Sequence, residues 1–90
     1  MNQKQKKLLY LSQHRGIKEI DIFLGLFAKK YVPNMSNSKL QLFEDLLQEK
    51  DLDLYDWIIG QEPLPRHLNH CLMHAIIKFN TSTPIKVRLK

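Results

Sequence analysis

The sequence predicts an all-α protein, a compact bundle of about five short helices. Three observations predict it. Apolar residues recur at three- and four-residue spacings along most of the 90 residues. Capping residues, glycines and prolines fall at the ends of those stripes. Strand-like alternation is confined to the last residues, where Ile85, Val87 and Leu89 interleave with Lys86, Arg88 and Lys90. Residues 1–79 therefore read as one helical domain and residues 80–90 as a basic tail. A chain of this length buries roughly 60–65% of its unfolded surface, which leaves ample surface for a partner and little interior for a cofactor.

The elements follow in order. Residues 3–13 form a first helix with Leu8, Leu9 and Leu11 as its apolar positions. Gly16 marks the junction to the second helix, because glycine inside a helix costs about 1 kcal/mol. The second helix has one continuous stripe, Ile17, Ile20, Leu24, Phe27 and Tyr31, widened by Phe23 and Leu26. Pro33 and Asn34 end it. Ser36 caps the third helix, with Ser38 and Gln41 as an alternative capping box. Its buried stripe is Leu40, Phe43, Leu46 and Leu47. Asp51 is suited to cap a fourth helix, with Asp53 favouring its first turn through the dipole. Leu54, Tyr55, Trp57 and Ile58 give that helix its apolar mass, and Gly60 stops it. Pro65 opens a fifth helix, striped by Leu68, Leu72, Ile76 and Phe79. The expected core contains Ile20, Leu24, Phe27, Phe43, Leu46, Leu47, Leu72 and Ile76.

Net charge is +5, unevenly spread. Residues 1–30 hold seven Lys/Arg against Glu19 and Asp21, residues 31–62 hold Lys39 and Lys50 against seven acids, and residues 63–90 hold five Lys/Arg and no acid. Two basic ends flank an acidic middle, so the cations have acids of their own chain to pair with. That differs from the single basic face of a nucleic-acid binder. The lone cysteine, Cys71, excludes an internal disulfide and sits in an apolar stretch, where a buried structural thiol is expected. No run approaches the ~20 apolar residues of a membrane span. The lysine-rich start carries no signal-peptide pattern, so a cytoplasmic location is expected, with a matrix-type compartment after processing as the alternative.

Three constellations bear on function. Arg15 and Glu19 are four apart, sharing a face if both are helical, with Gly16 beside them and Asp21 about 160° round the axis from Arg15. A guanidinium fork, a carboxylate and a bare glycine suit recognition of a partner's polar groups. The same residues also fit a solvated i,i+4 ion pair. Asp51-Leu52-Asp53-Leu54-Tyr55-Asp56-Trp57 superficially resembles a calcium loop but lacks its glycine and its final glutamate. His67, His70 and His74 line up on the expected fifth helix, yet no acid follows residue 63 to support a metal. No catalytic, cofactor-binding or metal-binding residue is assigned. No Gly-rich phosphate loop is present, since the glycines stand alone at 16, 25 and 60.

The segment His14-Arg15-Gly16-Ile17-Lys18-Glu19-Ile20-Asp21 resembles the Arg-Gly-x-x-Glu signature of the FAD assembly factor family. Asp51 through Trp57 resembles that family's second block, Asp-Pro-Asp-Leu-(Tyr/Phe)-x-Trp. The resemblance covers roughly residues 5–79, with two departures: His14 replaces a frequent second arginine, and Leu52 replaces the proline. It implies a small helical bundle that binds the flavoprotein subunit of succinate dehydrogenase, or of fumarate reductase, and promotes covalent attachment of FAD without being an enzyme. On that basis Arg15, Gly16, Glu19, Asp21, Asp53 and Trp57 are the expected partner-binding residues. No cofactor of its own, no nucleic acid and no membrane is expected, and the chain alone is expected to be a monomer. The rival readings are an antitoxin-type regulator and a basic nucleic-acid-binding bundle.

Overall fold

The computed structural model describes residues 2–82. Among them are five α-helices and no strand: α1 Gln3–Gln13, α2 Lys18–Tyr31, α3 Asn37–Leu46, α4 Asp51–Ile59 and α5 Cys71–Ser82. Short 3-10 turns at Val32–Asn34 and Arg66–Leu68 connect α2 to α3 and α4 to α5. The all-α expectation holds, and the first helix has the predicted bounds.

Local chemistry explains the helix ends. Asn2 and Gln5 form a reciprocal capping box, with side chain and backbone exchanging two 2.8 Å hydrogen bonds. Ser36 caps α3 by accepting from the Lys39 N–H. Gly60 closes α4 at φ 82°, a left-handed conformation that glycine adopts without Cβ strain.

Helix α2 is central: it packs on α1, α4 and α5, and α3 packs on α1 and α5. Every residue of the expected core list is buried. Val32, Leu54, Ile58, Leu68 and Met73 join them, as does Leu8 from α1. Where α1 meets α2, a Cβ on Gly25 would lie 3.2 Å from Gln13 Cγ and 3.6 Å from the Ser12 carbonyl. Gly25 therefore permits the close approach of the two helices. Ser12 is fully buried beside it and donates to the Leu9 carbonyl at 2.8 Å. The expected pairing of basic end with acidic middle occurs here too: Lys4 and Lys7 both reach Glu44 on α3, at 3.7 and 3.5 Å.

Five expectations need correction. Asp51 does not cap α4; Lys50 holds that position and Asp51 is the first helical residue, its carboxylate turned elsewhere. Pro65 opens only the 3-10 turn, and α5 starts six residues later at Cys71. Cys71 is exposed, because the first residue of α5 lies outside its buried stripe. Leu26 and Tyr31 are exposed at 36% and 40%, since α2 has a neighbour on only part of its circumference. Asn80 is not the start of a tail: it is buried within α5, and its amide donates to the carbonyls of Ile76 and, across the interface, Phe23. The alternation at Ile85, Val87 and Leu89 lies outside the described residues.

Candidate functional site: a braced connector between α1 and α2

The Arg15 motif is not on a helix. Residues 14–17 form an irregular connector, with Ile17 as the N-cap of α2. Arg15 and Glu19 consequently do not form an i,i+4 pair. The Arg15 side chain is only 12% exposed and turns toward the gap between α3 and α4. Its Nε donates to Asp51 Oδ1 at 2.8 Å, Nη1 to the Leu47 carbonyl at 2.7 Å, and Nη2 to the Glu49 carbonyl at 2.9 Å.

The physical logic lies in the helix ends. Leu47 and Glu49 follow the last turn of α3, where backbone carbonyls lack helical donors and the dipole is negative. The guanidinium satisfies two of them at once. Asp51 opens α4, where the dipole is positive. One arginine and one aspartate thus join the end of α3, the start of α4 and the α1–α2 connector. A partly buried ion pair of this kind is favourable only when its remaining donors and acceptors are filled, and here they largely are.

Asp51 also accepts from the connector backbone: Oδ2 takes the Gly16 N–H at 2.8 Å and the Ile17 N–H at 3.3 Å. Asp21, expected to point away from Arg15, instead accepts a hydrogen bond from the Arg15 backbone N–H. It reaches back from the first turns of α2 and fixes the connector from its other end. A Cβ on Gly16 would stand 3.2 Å from Asp51 Oδ2, so the bare glycine lets this carboxylate approach the backbone.

The front of the connector is different. Gly16, Lys18 and Glu19 are exposed, and the Glu19 carboxylate makes no hydrogen bond or ion pair among the described residues. Of the second block, Asp53 is exposed in the first turn of α4, while Trp57 is half-buried and packed against the core. The structure thus brings Arg15, Gly16 and Asp21 together with Asp51, leaves Glu19 and Asp53 at the surface, and uses much of Trp57 as packing. Asp51 is the residue that sequence reasoning assigned to the wrong task. Its signal was the acidity of the second motif opposite Arg15 in the first, which capping logic obscured.

The three histidines diverge. His67 Nε2 lies 3.1 Å from Glu49 Oε2, His74 Nε2 lies 2.7 Å from Asn69 Oδ1, and His70 Nδ1 accepts from the Met73 N–H. His70 thereby caps α5, and burial is the main cause holding its pKa below 6.5, aided by His74 and His67 and opposed by a backbone hydrogen bond. Among the described residues no group of three or more His, Cys, Asp or Glu is placed to hold a metal ion. No helix among them is long and apolar enough to cross a membrane.

Residues 6–80 match the family described as flavinator of succinate dehydrogenase. The chain belongs to this family. Among its relatives, a Danio rerio protein named mitochondrial succinate dehydrogenase assembly factor 2 is 36% identical over 96% of this chain and 56% of its own length. Proteins of the same name from Saccharomyces cerevisiae and Komagataella phaffii are 40% and 43% identical, covering 89% and 69% of this chain. The alignments span 52% and 34% of those relatives, so the chain corresponds to about a third to just over half of their length.

These names overturn the cytoplasmic expectation and point to the mitochondrion. The expectation rested on the lysine-rich start and its lack of a signal-peptide pattern. That pattern bears on secretion and does not distinguish the cytoplasm from the mitochondrion. Family membership favours the assembly-factor reading over the antitoxin and nucleic-acid alternatives.

Proposed function

We propose that the chain binds the flavoprotein subunit of succinate dehydrogenase and promotes covalent attachment of FAD to it, as an assembly factor and not as a catalyst. The observation that carries this reading is the family match over residues 6–80, which spans the braced connector and the second block. The relatives' names support the same client.

In this reading the new bond joins client and FAD, and no side chain of this protein enters it. The protein contributes binding energy. By holding the client conformer in which the reacting groups are aligned, it raises that conformer's share. Only differential affinity for that conformer helps; equal affinity for all conformers shifts nothing.

The residues then divide by role. Gly16 and Glu19 form the contact ridge, with Asp53 at the surface of α4. Arg15, Asp21 and Asp51 position that ridge from behind. Three of the five guanidinium N–H groups of Arg15 are engaged within the chain, which supports a positioning role in preference to direct recognition.

The test uses purified client flavoprotein, FAD and this protein, with covalent flavin read as in-gel fluorescence after denaturation. The expected result is faster covalent labelling than client and FAD alone produce. No acceleration, with both proteins folded and FAD in excess, would overturn the reading.

A further inference from the structure

At the other end of α2 from the connector lies a groove of about 700 Å³. Residues 18–26 of α2 lie between the connector and Phe27, the first residue of this helix to line the groove, roughly 14 Å of helix. Tyr31 and Phe79 supply its apolar surface, with the buried Phe27 and Leu72 beneath them. The three rings pack as a cluster: Phe27 to Tyr31 at 4.7 Å, Phe27 to Phe79 at 5.7 Å, and Tyr31 to Phe79 at 6.1 Å between centroids. Tyr31 remains 40% exposed in it.

Lys30, Lys39 and Lys78 are the only charged residues lining this groove among the described residues. They come from three helices, all are exposed, and none forms an ion pair among the described residues. This contrasts with Lys4 and Lys7, which share Glu44. Lys30 Nζ stands 5.4 Å from the Tyr31 ring and 5.9 Å from the Phe79 ring, so one cation borders the apolar surface directly. An aromatic centre with an unneutralised cationic border has the anatomy of a protein interface, apolar at its core and polar at its rim. A small-molecule site would instead show a few buried, convergent polar groups, and the charged groups here are flexible, exposed lysines.

We infer that this groove is a second docking surface, whose occupant is an acidic peptide segment of a partner protein carrying one large aromatic or aliphatic anchor. The anchor packs on Tyr31 and Phe79, and flanking carboxylates pair with Lys30, Lys39 and Lys78. Charge complementarity selects the occupant: three cations without a neutralising acid among the described residues favour an anionic segment and disfavour a basic one. The inference does not depend on the flavoprotein assignment, because it uses none of the connector residues.

Cys71 provides the readout, since it lines the groove and is exposed. The probe is a synthetic peptide with one central tryptophan flanked by three glutamates on each side. Binding is measured by calorimetry, and occupancy by the rate at which neutral iodoacetamide alkylates Cys71. Saturating peptide is expected to slow alkylation by about threefold or more. Lys30→Glu with Lys78→Glu, checked for unchanged circular dichroism, is expected to weaken binding by about tenfold or more, as is raising salt well above 0.15 M. Replacing the peptide's tryptophan with serine should weaken it comparably.

Several results would overturn the proposal. One is binding without protection of Cys71, and another is equal binding of the serine peptide, which would reduce the contact to bulk charge. A third is sedimentation showing a dimer of this chain that protects Cys71 and is broken by Lys78→Glu, which would assign the groove to a second copy. A fourth is equal protection by a short RNA.

Discussion

The Asp51 carboxylate reaches back 35 residues to Gly16, accepting its backbone N–H at 2.8 Å, while its other oxygen holds the Arg15 guanidinium at the same distance. Two motifs distant in the chain are thereby one structural unit. Arg15 fastens the end of α3, Asp51 fastens the start of α4, and the exposed ridge at Gly16 and Glu19 inherits its shape from both. Substitutions on either side of the connector separate this bracing from recognition.

Asp51→Asn keeps the shape but loses the charge, and its amide NH2 cannot accept from the donors that faced the second oxygen. The expected loss is about 1–3 kcal/mol in urea unfolding. Arg15→Lys should cost a similar amount, because an ammonium cannot fill a planar fork that now reaches Asp51, Leu47 and Glu49. The double variant should lose less than the sum of the singles, as expected for partners in contact. Strict additivity would show that the two side chains do not act together in solution.

Gly16→Ala tests the close approach. Its Cβ would meet Asp51 Oδ2 at 3.2 Å, and that oxygen is held by two backbone donors. A loss of about 1 kcal/mol is expected, in the range of mild overpacking. In an Asp51→Ala background the obstacle is gone, and the same substitution should become nearly neutral. An equal cost in both backgrounds would place the strain elsewhere.

Glu19→Ala should leave the fold alone, within about 0.5 kcal/mol, since an exposed side chain with no partner among the described residues contributes little. Its effect should appear in covalent flavin formation on the client. Truncating a charged contact that becomes desolvated at an interface costs ~2–5 kcal/mol, so the loss should reach at least about tenfold at limiting protein. A normal rate with the folded variant would move the working surface away from this ridge.

His70 gives a pH dependence whose sign is fixed. Its pKa in the folded protein is lowered from 6.5, chiefly by burial, so the folded protein disfavours the protonated ring. Its contribution is complete above pH 6.5 and declines as pH falls from there toward the lowered folded value. Protonation at Nδ1 also removes the acceptor that caps α5 through the Met73 N–H. His70→Asn retains a cap without titrating, and should flatten the stability–pH curve in that window. An unchanged curve would assign the slope to other groups.

The sequence by itself determined the helical class, the bounds of α1, the Ser36 and Gly60 helix ends and the principal core residues. These are local matters: apolar periodicity chooses the face a helix buries, and caps follow from which backbone groups are left unpaired. The two motifs were legible as residues, and the charge pattern correctly implied that basic and acidic segments meet.

Tertiary structure decided what those residues do. Asp51 looked like a cap because a cap is the local task for an aspartate at a helix start, whereas an arginine 36 residues earlier claims it in the fold. Arg15 and Glu19 looked like a helical pair because nothing local shows that the chain stays irregular until Ile17. Tyr31, Cys71 and Asn80 were misjudged for the same reason. A side chain's burial depends on whether another helix arrives beside it, and that is a property of packing between segments far apart in sequence.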